Sequence, residues 1–247
     1  MNNTIENIKN HRSIRQYLDK DVSDEIIDEI IKAAQAMPNS INGQQTTVIA
    51  IRDKAKKEKL AELVGNQEYV AKAPVFLVFV MDFYRTYLAG EKTGSKQIIH
   101  EDIEAALVGA VDSGITLGAA IIAAESLGLG TVPIGGIRKN PEEVIELLDL
   151  PKYTFPLVGL AIGYPSDESH QKPRIPFESF RHNDTYNKEA IENSIDSYDE
   201  EMEAYLKDIG RYDKEKNWST LTSSVYQNIY YPKVKDAMKK QGFTPAK

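Results

Sequence analysis

The chain lacks cysteine and has fewer basic than acidic residues. Without cysteine, its 247 residues cannot form disulfides, thiolate nucleophiles, iron–sulfur clusters or cysteine-ligated zinc sites. Lysine and arginine number 30 against 37 aspartate and glutamate residues, so the formal net charge is −7. General nucleic-acid binding requires a basic footprint. The composition therefore predicts no nucleic-acid partner.

Long apolar runs are also missing. The longest nearly uncharged stretch, Ser113 to Ala124, is far shorter than the roughly 20 apolar residues of a membrane-spanning helix. The N-terminal residues Met1 to Glu6 contain no apolar signal region. These two absences predict a soluble, cytoplasmic protein with no membrane partner.

Two basic clusters stand out against the acidic background. His11, Arg12, Ser13 and Arg15 lie within five residues, and Lys172-Pro173-Arg174 lies far downstream. Arginine recognises phosphate through a planar fork of donors. Two distant cationic clusters therefore indicate one phosphorylated small molecule held from two sides. The alternative is a pair of solvated turns, since surface ion pairs contribute little.

Apolar patterning predicts alternating helices and strands. Ser23 is a predicted N-cap for a helix that ends before Pro38. Predicted strands cover 46–51, 74–81, 131–137 and 157–162, predicted helices cover 4–10, 54–64 and 102–127, another helix starts at Asn140, and 83–98 is predicted to be irregular. The Gly- and Ala-rich helix 102–127 is expected to be buried on most sides or to line a subunit interface. From Tyr186 onwards the chain is predicted to be helical.

Element order alone favours a doubly wound α/β fold with a parallel sheet. However, no Gly-x-Gly-x-x-Gly turn follows the first strand, and no Walker-type loop is present. Gly128-Leu129-Gly130 lacks the third glycine because Pro133 occupies that position. A dinucleotide-binding fold of the usual kind is therefore not expected.

A metal centre is poorly supported by the sequence. His100 and Glu104 are four residues apart on a predicted helix, but zinc sites need three or four protein ligands. No third ligand is evident, so no metal is predicted. Tyr226, Tyr230 and Tyr231 near the C-terminus are assigned a packing role, with capping of a ligand site as the alternative.

Taken together, five segments resemble the flavin-dependent nitroreductase superfamily, in particular its NAD(P)H:FMN reductases and oxygen-insensitive nitroreductases. The segments are 11–15 (HRSIR), 39–44 (NSINGQ), 65–69 (GNQEY), 134–138 (IGGIR) and 172–176 (KPRIP). Each segment alone is a weak signal, whereas the set in this order spans nearly the whole chain. Fold analogy does not fix the substrate.

The resemblance implies an α+β fold with a helix-flanked, largely antiparallel sheet, and this overrules the parallel sheet inferred from element order. It also implies an intertwined homodimer with FMN at the subunit interface. On this view residues 1–185 form the FMN-binding core. Residues 186–247 form a C-terminal helical extension of the same domain that contacts the partner subunit.

The same resemblance implies a set of FMN-binding residues and no catalytic side chain, because the cofactor carries the chemistry. The predicted binding residues are His11, Arg12, Ser13, Arg15, Asn39, Ser40, Asn42, Gln67, Tyr69, Pro133, Ile134, Gly135, Gly136, Lys172 and Arg174. Arg12, Ser13, His11 and Arg174 suit phosphate and ribityl oxygens, while Lys172 and Arg15 suit the flavin O2–N1 edge. Which arginine meets phosphate and which meets the ring stays open.

Several of these positions also have a purely structural interpretation. Asn39, Ser40 and Asn42 could form an ordinary turn, Tyr69 a half-buried aromatic, and Gly135-Gly136 a strand bulge. As flavin contacts, the glycine pair would let backbone N–H groups approach the ring because glycine has no Cβ.

The predicted function is transfer of hydride from NADH or NADPH to FMN, and then to free flavin, quinone or nitroaromatic acceptors by ping-pong kinetics. The resemblance implies that relatives selective for NADPH place an arginine near the position of Ile209, where it meets the 2′-phosphate. Here Arg211 and Lys214 lie close by. Either one substitutes for it or selectivity is relaxed, so both donors are expected to work, with NADPH at most modestly preferred. The alternatives are a specialised reductase such as a dehalogenase, an FMN-binding sensor or carrier, and a phosphate- or nucleotide-binding protein without flavin.

Overall fold

A four-stranded antiparallel sheet forms the centre of the fold. In the computed structural model, which describes residues 2–167, 169–213 and 216–244, the strands are β1 (Thr46–Ile51), β2 (Val75–Asp82), β3 (Gly130–Ile134) and β4 (Thr154–Gly163). Their order across the sheet is β1-β2-β4-β3, and every neighbouring pair is antiparallel. The predicted α+β fold with an antiparallel sheet is confirmed.

The doubly wound parallel sheet inferred from element order is wrong. Ile51 at the end of β1 pairs with Phe76 near the start of β2, so the helices between these strands turn the chain back at one end of the sheet. A parallel pair would need the connecting helix to cross the sheet before the next strand begins. Alternation of helices and strands cannot distinguish these two paths.

Strand β2 is buried along its whole length, as its continuous apolar run predicts. Its alternate side chains point to opposite faces. Phe76, Val78 and Val80 belong to one apolar cluster, with Leu60 and Ile137, and Val75, Leu77 and Phe79 belong to another, with Ile30 and Ala120. The sheet is therefore covered by helices on both faces.

The helices around the sheet mostly follow the predicted pattern. They are α1 (Asn3–Lys9), α2 (Asp24–Gln35), α3 (Lys54–Leu63), α4 (Glu68–Lys72), α5 (Tyr84–Thr93), α6 (Glu104–Ser126), α7 (Pro141–Leu147) and, near the C-terminus, α11 (Val234–Lys240). Ser23 caps α2 as predicted, because its hydroxyl accepts a hydrogen bond from the Ile26 N–H at 3.4 Å. Asn140 precedes α7 as predicted, but its side chain donates instead to the Leu63 carbonyl at 2.7 Å.

Helix α5 corrects the prediction that residues 83–98 are irregular. The helix runs past Gly90 and ends before Gly94, which has φ +73°. The Tyr87 ring packs 5.1 Å from the Tyr153 ring. This tertiary contact compensates for the low helix propensity of the segment.

Helix α6 is only partly covered in the single chain. Gly109 lies against Met81, whose Sδ would be 2.3 Å from an added Cβ, whereas added Cβ atoms at Gly114 and Gly118 would meet nothing within 4 Å. Ile103, Leu107 and Val111 are 56%, 55% and 61% exposed. Predicted burial on most sides is therefore wrong for the isolated chain, and the interface alternative remains.

By length and composition α6 also meets the criterion for a membrane-crossing helix, and 28% of its most apolar window is buried inside the protein. Core helices of soluble proteins meet the same criterion.

The chain divides into two compact units, residues 1–169 with 231–247, and residues 170–230. The second unit contains α8 (Phe177–Phe180), α9 (Lys188–Asp208) and α10 (Trp218–Tyr226). Within it, the Tyr198 and Trp218 rings pack edge to face at 5.6 Å. Asp199 accepts a 2.8 Å hydrogen bond from the Ser219 N–H, which ties α10 to α9. The region beyond Tyr186 is thus largely helical.

Candidate functional site

The first basic cluster lies along the edge of strand β3. Ser13 forms a parallel bridge with Thr131, and the Ile14 N–H donates to the Thr131 carbonyl at 2.9 Å. Ile14 is buried against Gly130, where an added Cβ would lie 2.6 Å from the isoleucine side chain. The Tyr17 hydroxyl donates to the Ile14 carbonyl at 2.8 Å, and burial raises the pKa of this phenol above its ordinary value. The cluster is thus held rigidly by its apolar members.

The charged members of this cluster differ in their partners. His11 Nδ1 lies 2.7 Å from Glu125 Oε1, which also accepts a 3.0 Å hydrogen bond from the Thr131 hydroxyl. Arg12 and Arg15 make 3.5 Å contacts to the Ser169 and Ser13 carbonyls. In the described part of the chain, neither arginine has a carboxylate within ion-pair distance. Both guanidinium groups therefore suit an anionic ligand.

A second set of predicted residues gathers where β3 ends. Pro133 and Ile134 close the strand, and Gly135 and Gly136 begin a 3₁₀ turn. An added Cβ on Gly136 would lie 2.5 Å from the Val64 carbonyl oxygen and 3.1 Å from Gln67 Nε2. An added Cβ on Gly135 would come no closer than 3.4 Å, at Arg138 Nη2. Gly136 is therefore required by packing, whereas a Cβ at Gly135 would make only ordinary van der Waals contacts, with Arg138 Nη2 and with the Tyr231 hydroxyl at 3.7 Å.

Gln67 and Tyr69 join the glycine turn to the basic cluster. The Gln67 amide donates to the Val64 carbonyl at 3.1 Å, and its oxygen accepts a short hydrogen bond from the Tyr69 hydroxyl. The Arg15 guanidinium lies 5.9 Å from the Tyr69 ring centroid. Ser13, Arg15, Gln67, Tyr69 and the glycine turn thus line one side of the β3 edge.

The remaining predicted residues of this unit lie on the turn before β1, residues 39–44, which is called the strained turn below. The Asn39 side chain accepts a 3.0 Å hydrogen bond from the Gln44 N–H, and Asn42 accepts one at 2.6 Å from the Gln44 amide. Ile41, Asn42 and Gln44 have φ values of 49°, 56° and 55°, which non-glycine residues rarely adopt. Such conformations persist only where surrounding contacts enforce them, and they are concentrated at functional sites.

This turn and the glycine turn are fixed at opposite edges of the sheet. The first precedes β1 and the second follows β3, and two strands lie between β1 and β3. Three interstrand steps of about 4.8 Å separate the edges by roughly 14 Å. Thr46 pairs with Met81, and Ile134 pairs with Gly159. One chain therefore holds the two groups of predicted residues apart.

The second basic cluster belongs to the other unit. Arg174 Nη1 donates to the Lys172 and Pro173 carbonyls at 2.7 and 3.3 Å. The Pro173 carbonyl also accepts the Tyr198 hydroxyl at 3.1 Å. Local hydrogen bonds thus fix the backbone around both cations. Lys214, one of the two basic residues considered for donor selectivity, lies outside the described residues.

Sequence reasoning missed Glu125 and Asp112, which hold site residues in place. Glu125 contacts His11, and the Asp112 carboxylate accepts from the Ser40 N–H with both oxygens 3.2 Å away. The sequence does contain a signal for Asp112: it is a carboxylate within an apolar helix, and a carboxylate buried there is almost always paired with another group. Nothing in the sequence pairs Glu125 with His11.

The described residues contain no group of three or more histidine, cysteine, aspartate or glutamate side chains that could hold a metal ion. His100 instead packs its ring 4.6 Å from the ring of Tyr153.

Comparison with known proteins identifies the family. The profile of the Nitroreductase family matches residues 8–164, and that of the Nitroreductase family C-terminal domain matches residues 172–245. The chain belongs to the nitroreductase family. Within this family it is 50% identical over 245 residues to the Bacillus subtilis (strain 168) protein "FMN reductase [NAD(P)H]", covering 98% of each chain.

Solved nitroreductase structures agree over the full length. The structure of B. megaterium NfrA2 superimposes with a TM-score of 0.97, at 51% identity and with complete coverage of both chains. The NADPH:FMN oxidoreductase from Vibrio harveyi, complexed with NAD⁺, has a TM-score of 0.89 at 34% identity and covers 99% of this chain and 100% of that one. This nitroreductase fold is therefore shared with relatives from two bacterial species.

Proposed function

We propose that the protein is an FMN-dependent NAD(P)H oxidoreductase. It takes hydride from NADH or NADPH and passes it to free flavin, quinone or nitroaromatic acceptors in a ping-pong sequence. The observation that carries this proposal is the cationic segment 11–15 fixed on the β3 edge beside the glycine turn. Similarity to the FMN reductase [NAD(P)H] from B. subtilis and the NADPH:FMN oxidoreductase from V. harveyi supports it.

The donor set fits FMN. The phosphate and ribityl oxygens need cations and hydroxyl donors, which His11, Arg12, Ser13 and Arg174 offer. The ring rim needs amide-type donors and acceptors, which Gln67 and the strained turn offer, together with a close backbone approach. That approach is available at the glycine turn. We therefore retain all the predicted binding residues (His11, Arg12, Ser13, Arg15, Asn39, Ser40, Asn42, Gln67, Tyr69, Pro133, Ile134, Gly135, Gly136, Lys172 and Arg174) as the proposed FMN contacts.

When bound, FMN supplies the hydride-accepting and hydride-donating chemistry, so the protein needs no nucleophile or general acid. In the proposed assignment, Arg15 and Lys172 would place positive charge beside the ring edge that becomes anionic on reduction, which would raise its potential. Arg12 and Arg174 would hold the phosphate. Gln67 and Tyr69 fix each other by a hydrogen bond, so they present a preorganised surface for orienting the ring.

We propose that the working form is a homodimer. The two groups of predicted contacts lie at opposite edges of the sheet in one chain, so a single chain cannot place both on one flavin ring. The exposed face of α6 around Leu107, Val111 and Gly114 is apolar and open, which suits a subunit interface. Asn39, Ser40 and Asn42 would then complete the site of the partner.

The proposed organisation keeps residues 1–185 as the core and 186–247 as a helical extension of the same domain that contacts the partner. The match of relatives over the whole chain supports treating both parts as one functional unit. We also propose a cytoplasmic location, which fits the absence of cysteine and the use of NADH or NADPH as donor.

The deciding experiment is an anaerobic visible spectrum of the purified protein reconstituted with FMN, before and after NADH or NADPH is added. Bleaching of a bound flavin band establishes cofactor and donor together. A bound flavin that neither donor bleaches favours a sensor or carrier, and the absence of bound flavin rejects the proposal. Catalytic efficiencies with the two donors should agree within about a hundredfold, or nearly 3 kcal/mol. Profiling of halogenated acceptors separates a dehalogenase from a general reductase.

A further inference from the structure

The strained turn before β1 is held in place by side chains from two different helices. Near its beginning, Ser40 donates its backbone N–H to the Asp112 carboxylate of α6. Near its other end, the Gln44 carbonyl accepts a short hydrogen bond from Arg85 of α5. The Thr46 hydroxyl lies 3.3 Å from that of Ser113, the neighbour of Asp112 on α6. The turn is therefore fixed at both ends.

Asp112 is an unusual member of its helix. It is 3% exposed and lies on a helix of small and apolar residues. Both of its oxygens are 3.2 Å from the single Ser40 N–H. Burying a carboxylate is costly unless hydrogen bonds compensate for its lost hydration. An apolar residue at this position could not accept the hydrogen bond from the Ser40 N–H.

The turn needs external support because its own conformation is unfavourable. Ile41, a β-branched residue, has φ 49° and is 94% exposed, so it gains no packing energy that would offset the strain. The nearby side-chain hydrogen bonds of Asn39 and Asn42 both lie inside the turn. They set its shape but do not fix its position relative to the rest of the fold. Asp112 and Arg85 provide those external contacts.

We propose that Asp112 is a positioning residue, which locks the turn containing Asn39, Ser40 and Asn42 in the conformation that meets the flavin ring. This inference rests on the proposed function. Asp112 itself touches neither flavin nor donor. Because it sits on the same helix as the exposed face around Leu107 and Val111, it also joins the proposed subunit interface to the proposed ring contacts.

The test compares the binding of FMN and riboflavin, which differ only in the phosphate. Dissociation constants for both are measured by flavin fluorescence titration of the dimeric protein, together with the visible absorption band of the bound flavin. In Asp112→Leu, both flavins should bind at least tenfold more weakly and the flavin band should shift. Asp112→Asn keeps an oxygen that can accept from Ser40, so its constants should stay within about threefold of the wild type.

Arg85→Met tests the other end of the turn. The Arg85 side chain is 50% exposed, so this variant should fold. If Asp112→Leu does not fold, Arg85→Met decides whether external support of the turn is needed for flavin binding. It should weaken the binding of FMN and of riboflavin by the same factor, and that factor should be smaller than in Asp112→Leu. Unchanged affinities in Asp112→Leu, or in Arg85→Met where Asp112→Leu does not fold, overturn the inference. A loss confined to FMN also overturns it, because it would indicate an effect on the phosphate. If the wild-type protein binds neither flavin, the proposed function itself fails.

Discussion

His11 Nδ1 lies 2.7 Å from Glu125 Oε1, although 114 residues separate the two in the chain. Glu125 also accepts a hydrogen bond from Thr131, so one carboxylate ties the basic segment, the end of α6 and the start of β3 together. Its side chain is 15% exposed. This degree of burial makes the contact more costly to lose than a surface ion pair.

Glu125→Ala should therefore lower the free energy of unfolding by about 1–3 kcal/mol, because the His11 ring and the Thr131 hydroxyl lose their shared partner. Urea denaturation measures the effect. The matched control is Glu29→Ala, which breaks an exposed pair with Lys32 and should cost less than about 0.5 kcal/mol. Equal losses in the two variants would show that the Glu125 contact is energetically an ordinary surface pair.

Arg174→Ala should weaken FMN binding and leave riboflavin binding unchanged. A charge-assisted hydrogen bond to phosphate contributes about 1.5–3 kcal/mol, which corresponds to roughly a ten- to hundredfold rise in the FMN dissociation constant. Fluorescence titration with both flavins measures this. Arg181→Ala removes an exposed arginine of the same unit and should change neither constant. An FMN affinity equal to that of the wild type would contradict the phosphate role.

The two glycines of the turn after β3 should respond differently to alanine. Gly136→Ala places a Cβ 2.5 Å from the Val64 oxygen, and overpacking of this kind costs about 1–3 kcal/mol in the free energy of unfolding. Gly135→Ala has room in the free protein, so its stability should be close to that of the wild type. Its flavin affinity should nevertheless fall if the backbone approaches the ring. Thermal denaturation and flavin titration of both variants separate packing from binding.

Tyr17 should make stability decrease at alkaline pH. Burial raises the pKa of its phenol above the ordinary value of 10.0. Above that pH the unfolded chain releases the proton while the folded chain keeps it. The stabilising contribution is therefore complete below pH 10 and is lost as pH rises from there towards the folded-state pKa.

The variant Tyr17→Phe isolates this effect. It should cost about 1 kcal/mol near neutrality, because the hydrogen bond to the Ile14 carbonyl is lost, and the difference from wild type should shrink as pH rises above about 10. Denaturation curves from about pH 8 to about 11 test this. Tyr186→Phe, at a 71% exposed tyrosine, should show no such convergence. A constant difference in stability between Tyr17→Phe and wild type across this range would rule out Tyr17 as the source of the alkaline loss of stability.

Local sequence signals predicted most elements but not how the strands pair. Strand β1 has its predicted bounds. The cap at Ser23 follows from a hydroxyl one residue before a helical pattern. Helix α5 was missed because the segment is polar, while the tilted ring contact of Tyr87 with Tyr153 that stabilises it is a tertiary contact. Strand direction depends on where connecting helices return the chain, which composition does not encode.

The same limit applies to the candidate site. Residues with chemistry of their own, such as Arg12 and Arg15, are visible in the sequence because cations cluster there. Residues that act by holding others are not visible, because their partners are far away in the chain. Asp112 lies 72 residues from Ser40. Such supporting contacts are found only once the fold brings them together.

The last prediction concerns the exposed face of α6. The double variant Leu107→Glu with Val111→Glu places two charges on a face that is apolar and open in the single chain. If this face is the subunit interface, the repelling and desolvated carboxylates should convert the dimer into monomers in sedimentation velocity experiments.

Flavin binding by those monomers should fall in parallel, because the strained turn of one chain is proposed to complete the site of the other. Lys59→Glu, on the exposed side of α3, also adds negative charge and should leave both dimer and flavin affinity intact. A double variant that stays dimeric would remove α6 from the interface. Monomers that keep wild-type flavin affinity would instead show that each chain builds a whole site by itself, despite the roughly 14 Å that three interstrand steps place between its two groups of ring contacts.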